Sequence, residues 1–141
     1  MYKALVIVGY FLLITNYCYS QKSALSKLDY FTQIPKEIDG CTGLYTSDSI
    51  SMKDKKYLIV TNLQDFAQIK IAGKRINLKL ESQKQLSKNS YQSIYIGSGY
   101  KVVLTTKTIK QIDELSEEKG TLEISNKESK RTITIHGKSG C

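Results

Sequence analysis

Tryptophan is absent from this chain of 141 residues, and proline and histidine occur once each. The lone histidine, His136, and the lack of any Cys-x-x-Cys pair leave no ligand set for a zinc site. His136 follows Ile135 in a strand-like alternation and is expected to face solvent. No Gly-x-Ser-x-Gly elbow exists to present a serine nucleophile. Gly97-Ser98-Gly99 is too short to cradle a phosphate and opens no helix. Arginine, the better bidentate reader of phosphate, stands only at Arg75 and Arg131, so nucleic acid is not an expected partner. Beyond Pro35 no low-complexity or Gly/Ser linker divides the chain, and no internal repeat has a fixed period.

Carboxylates are few and bunched. Asp113, Glu114, Glu117 and Glu118 lie between Lys110 and Lys119. A glycosidase needs two carboxylates across a cleft, one with a raised pKa. Four acids this close in sequence suggest a solvated loop instead. No catalytic residue, metal ligand or cofactor is expected, and the chain does not read as an enzyme.

What is present begins at the N-terminus. Lys3 precedes a nearly unbroken apolar run from Ala4 to Ile14, and Cys18-Tyr19-Ser20 offers small residues for cleavage after Ser20. The run is shorter than the roughly 20 apolar residues that span a bilayer. Residues 1–20 are therefore expected to be a signal peptide, and the mature chain should carry no membrane span. Lipidation at Cys18 would need a small preceding residue, and Tyr17 stands there. Residues 21–40 are expected to form an N-terminal arm or short helix, and residues 41–141 a β-domain. Export places the domain in the periplasm or outside the cell. There the remaining pair, Cys41 and Cys141, suggests a disulfide, with a free thiol as the rival.

The formal charge of +8 is carried mostly by lysine. Such a surface could meet an anionic glycan or an envelope protein. A lysine-rich composition can also be a genome-wide habit with no binding role.

Alternation then dictates an all-β fold. Around Gly73-Lys74 as a type II′ tip, Ile71 would face Ile76, Ile69 would face Leu78 and Ala67 would face Leu80. Lys70, Arg75 and Lys79 then share the polar face. A second hairpin turns at Gly97-Ser98-Gly99, with Ile96 opposite Tyr100 and Ile94 opposite Val102. Its other face would carry Tyr91, Tyr95, Lys101 and Val103. A third turns around residues 127–130, with Ile124 opposite Ile133 and Leu122 opposite Ile135. Residues 81–90 are polar and suggest a loop. Residues 108–115 fit a short helix or an irregular edge strand. Residues 23–31 suggest a short helix that packs as a strap or stays a mobile arm. With the strands at 41–45 and 57–61, this makes about seven or eight short strands, an antiparallel barrel or sandwich.

Two surfaces could bind. One is the cationic face of Lys70, Arg75 and Lys79. The other is the aromatic face of Tyr91 and Tyr95 beside Lys101, which could stack on a sugar or a peptide. Each has a plain alternative: strand lysines oppose edge aggregation, and the tyrosines could sit under the strap.

Gly40-Cys41, Lys56-Tyr57-Leu58-Ile59-Val60, Ile69-Lys70-Ile71-Ala72-Gly73-Lys74, Leu78-Lys79-Leu80, Gly120-Thr121-Leu122 and Gly140-Cys141 together resemble a family of small exported bacterial proteins of unknown function. There is a fainter similarity to periplasmic inhibitors of C-type lysozyme, which are small disulfide-bearing barrels with a Ser-Gly-x-x-Tyr type loop. Ser98-Gly99-Tyr100 departs from that spacing, and two basic proteins would meet slowly. The resemblances imply a non-catalytic binding module of the cell envelope, a lysozyme inhibitor, or an accessory envelope protein without a small ligand.

Overall fold

In the computed structural model, which describes residues 24–141, the alternation becomes nine strands. They are β1 (Leu28–Asp29), β2 (Thr42–Thr46), β3 (Ile59–Thr61), β4 (Phe66–Ile71), β5 (Lys74–Ser87), β6 (Ser90–Gly97), β7 (Tyr100–Ile112), β8 (Leu115–Ser125) and β9 (Lys130–Gly140). From β2 to β9 each strand pairs antiparallel with the next, and β9 returns to pair with β2. The result is a closed eight-stranded up-and-down barrel, and β1 adds to the edge of β4 beyond the end of β3. Closure leaves the barrel strands no open edge. The Cys41–Cys141 disulfide joins the start of β2 to the end of β9, across a sequence separation of 100.

The interior core holds Ile59, Ile69, Ile71, Ile76, Leu78, Val102, Leu104, Leu122, Ile124 and Ile135. A second cluster lies outside the wall, where Phe31, Ile38 and Tyr57 cover Val60. This explains why β3 is buried on both faces. The short helix α1 (Ser49–Lys53) is capped by Asp48, whose carboxylate accepts from the Ser51 N–H at 2.7 Å. The expected N-terminal helix is a 3-10 turn, Ala24–Lys27, followed by β1. The expected cleavage site and Cys18 lie outside the described residues, as does the Ser23 cap.

All three hairpin registers differ from expectation. In the central hairpin the tip is Ala72-Gly73, with Ile69 opposite Ile76, Ala67 opposite Leu78, and Ile71 opposite Lys74. Both tip residues are left-handed, at φ 49° and 78°, which makes a type I′ turn. Alternation alone disfavours this register because it sets Ile71 beside Lys74. The strap resolves the conflict: Leu28 pairs with Ile71 on its other side. The Ala72 N–H donates to the Lys27 carbonyl at 2.8 Å, and the Gly73 N–H donates to the Asp29 carboxylate. The partner shift is two residues, so every side chain keeps its expected face, and Ile69, Ile71, Ile76 and Leu78 are core. The third hairpin shifts by two as well, Leu122 meeting Ile133. Its loop is residues 126–129, held by the Asn126 side-chain oxygen, which accepts from the Glu128 and Ser129 N–H groups.

The second hairpin is different. Its tip is the two-residue Ser98-Gly99, also left-handed at both positions, so Tyr95 pairs with Val102 and Ile94 with Val103. A shift of one residue turns β6 over. Tyr91, Ser93 and Tyr95 take the inner face, while Ile94 and Ile96 point out, with Ile96 43% exposed. The polar stretch 81–90 is not a loop: β5 and β6 run through it and turn at residues 88–89, with two register shifts along the way. Residues 108–115 are likewise paired strand, turning at Asp113 (φ 52°) and Glu114 between β7 and β8, not a sheet edge.

Ala72→Asn distinguishes the two central registers. Asparagine tolerates the left-handed conformation that costs alanine on the order of 1 kcal/mol. The substitution should therefore raise the urea midpoint. With Gly73-Lys74 at the tip, Ala72 would be ordinary strand and the same change would lower it.

Candidate functional site

Inward-facing positions change character along the barrel axis. On β8 they run Ile124, Leu122, Gly120, Glu118, Ser116, and on β7 Val102, Leu104, Thr106, Thr108. On β6 they run Tyr95, Ser93, Tyr91, and on β9 Ile135, Gly137, Ser139. One half of the interior is therefore a packed apolar core. The other half, at the end that carries the disulfide and the 88–89 and 113–114 turns, is polar. It contains a cavity of about 270 Å³ lined by Tyr45, Thr61, Gln83, Tyr91, Ser93 and Glu118, among others.

The centre of this mouth is a row across three strands. Gly137 of β9 lies opposite Tyr45 of β2 on one side and Glu118 of β8 on the other. A Cβ at 137 would lie 2.0 Å from the Tyr45 ring. Glycine there lets the ring cross β9, so that the Tyr45 hydroxyl donates to Glu118 Oε2 at 2.8 Å. The Ser139 hydroxyl donates to Glu118 Oε1 at 2.6 Å. Burial pushes the Tyr45 hydroxyl well above its ordinary pKa, and the charge and hydrogen bond of Glu118 push it the same way. Burial also raises Tyr95, against the opposing hydrogen bonds of Ser93 and Thr61. Thr61 is fully buried, and its Oγ1 accepts from the Leu63 N–H at 3.3 Å.

The structure separates the residues expected to form an aromatic and cationic surface. Tyr91 stands at the mouth, 41% exposed, and Tyr95 is buried in the interior. Lys101 is on the outer wall opposite Ile96 and Ser125, so no shared face unites it with the tyrosines. The one-residue change at Ser98-Gly99 is the cause. Lys70, Arg75 and Lys79 do share the outer face of β4 and β5, with Lys70 opposite Arg75 and Lys79 opposite Phe66. Arg75 lies 3.8 Å from the Glu37 carboxylate, both largely solvated, a contact of little energetic weight. Only the first half of the acidic run is a loop: Asp113 and Glu114 form the β7–β8 turn, whereas Glu117 faces outward between Lys110 and Lys138 and Glu118 turns inward. Sequence reasoning missed Tyr45, Glu118, Ser93 and Ser139. The available signal was a period of two, because Glu118 falls in phase with Gly120, Leu122 and Ile124. His136 is half-buried on the outer wall beside Lys119, its pairing partner on β8.

Among the described residues no group of three His, Cys, Asp or Glu could hold a metal, and no helix is long and apolar enough to cross a membrane. No protein-family model matches the chain, and no curated protein or solved structure matches it.

Tyr45→Phe should change alkaline stability. A phenol whose folded pKa is raised holds its proton in the folded state after the unfolded chain has released it. Its contribution is complete below about pH 10 and is lost as pH rises through the higher folded value. Urea unfolding at pH 8 and at pH 11 should show a smaller fall for Tyr45→Phe than for wild type. An equal fall would remove Tyr45 as a source of alkaline sensitivity.

Proposed function

We propose that the chain is an exported, non-catalytic binding module of the cell envelope whose ligand enters the polar half of the barrel. The observation that carries this is the change in the interior from aliphatic to polar on β7, β8 and β9 in register, ending in one cavity. A barrel selected for stability alone is best filled with aliphatic side chains along its whole length. Buried hydroxyls and a half-buried carboxylate cost stability unless something hydrogen-bonds to them. Ligand pockets of small barrels place a few convergent polar groups against an apolar floor. Here Glu118, Tyr45, Ser93 and Thr61 are the polar groups, and Leu104 belongs to the floor. Catalysis is not part of the proposal, since Glu118 has no second carboxylate or histidine beside it in the cavity lining.

The absence of tryptophan supplies a clean test. A Tyr91→Trp protein carries one indole at the mouth and should report binding by its fluorescence. Titration with fractionated envelope extract should give a saturable change. Thr106→Phe, which fills the cavity, should abolish that change, and the Lys70→Ala/Lys79→Ala pair should leave it intact. The reverse pattern would move the binding surface to the outer face of β4 and β5, where an anionic glycan is the natural ligand.

A further inference from the structure

We infer that the mouth recognises an organic cation, an alkylammonium or guanidinium group seated between the Glu118 carboxylate and the rings of Tyr45, Tyr91 and Tyr95. This rests on the mouth being a ligand site, and it names the chemical class. Glu118 is the one charged side chain that lines the cavity. The ion pairs among the described residues are Arg75 with Glu37 and Lys130 with Glu123, both on the outer surface, so no lysine or arginine is in ion-pair contact with Glu118. In a chain with a formal charge of +8 that is a notable omission. Two neutral hydroxyls, Tyr45 and Ser139, hold the carboxylate in place, one on each oxygen. Each oxygen keeps a further lone pair for a donor from outside.

A half-buried carboxylate without a counter-charge is an unfilled electrostatic site, and a cation entering the mouth offsets its desolvation. Three tyrosines line the same space. Aromatic faces attract ammonium and guanidinium groups, and the attraction grows as water is excluded. An anion would meet the Glu118 charge directly and is disfavoured. A neutral sugar could use the hydroxyls but would leave the carboxylate unpaired. The cavity of about 270 Å³ suits a head group with a short chain. The lysine-rich exterior repels a free cation at long range, but salt screens that field beyond roughly 8–10 Å. Selectivity therefore comes from the contacts within the mouth.

The probes are choline and n-butylammonium, compared with n-butanol and butyrate at equal ionic strength by isothermal titration calorimetry. Wild type should bind both cations at least about tenfold more tightly than butanol, with no detectable butyrate binding. Glu118→Gln keeps an acceptor oxygen for the hydroxyls and should lose the cation preference. Tyr91→Ala, at the exposed rim, should weaken choline several-fold without disturbing the fold, checked by near-ultraviolet circular dichroism. Lys70→Ala should change nothing. Equal affinity for butanol and butylammonium, unchanged cation binding in Glu118→Gln, or no cation binding by wild type would each overturn the inference. If that happens while Tyr91→Trp still responds to envelope extract and Thr106→Phe removes the response, the mouth is a ligand site for another chemical class. If the extract response fails as well, both readings fall.

Discussion

The seam between β2 and β9 is the contact on which the barrel depends. Every other strand pair in the ring joins neighbours in sequence, so each hairpin closes a short loop. The seam alone brings together segments about a hundred residues apart, Thr42 opposite Gly140 through Thr46 opposite His136. It therefore carries the largest closure entropy in the ring. The Cys41–Cys141 bridge sits at its end and lowers that cost by restricting the unfolded chain, by about 4.7 kcal/mol for a loop of this size. Without the seam, the sheet would have two free edges and its polar inner positions would open to water.

The seam also builds the site. Tyr45 comes from β2, Gly137 and Ser139 from β9, and Glu118 from the strand next to β9. Tyr45 reaches Glu118 only because Gly137 lets its ring lie over the intervening backbone. The disulfide marks the same end of the barrel as the cavity. Fold closure therefore completes the site: Ser139 reaches Glu118 within the β8–β9 hairpin, and the pairing of β2 with β9 brings the second hydroxyl donor, Tyr45.

The all-β architecture was legible because alternation is a local property. The cysteine pair was legible because two thiols remain after the N-terminal segment is set aside. The core residues of the central hairpin were also legible, although their partners were not. Register is fixed by turn geometry, and Ala72 gave no hint of a left-handed conformation because the contacts that hold it there come from Lys27 and Asp29. A two-residue partner shift is harmless to the faces of β4 and β5. A one-residue shift at Ser98-Gly99 is not, and it alone converts Tyr95 from a surface candidate into an interior one. Glu118 was hidden for a different reason. Acidic residues before it and Lys119 after it made it look solvated, and only the barrel reveals that it is in phase with Leu122 and Ile124. The polar stretch 81–90 lacked the apolar face that marks a strand, and pairing with β6 supplies its structure.

Amide hydrogen exchange on the oxidised and the reduced protein tests the dependence on the seam most directly. Reduction of Cys41–Cys141 should selectively release residues 42–46 and 136–140, together with 115–118 at the mouth. Amides around Leu78, Val102 and Ile124, in the apolar half, should stay protected. Loss of protection in both halves together, or none at the seam, would contradict a barrel whose polar mouth is held shut by that closure.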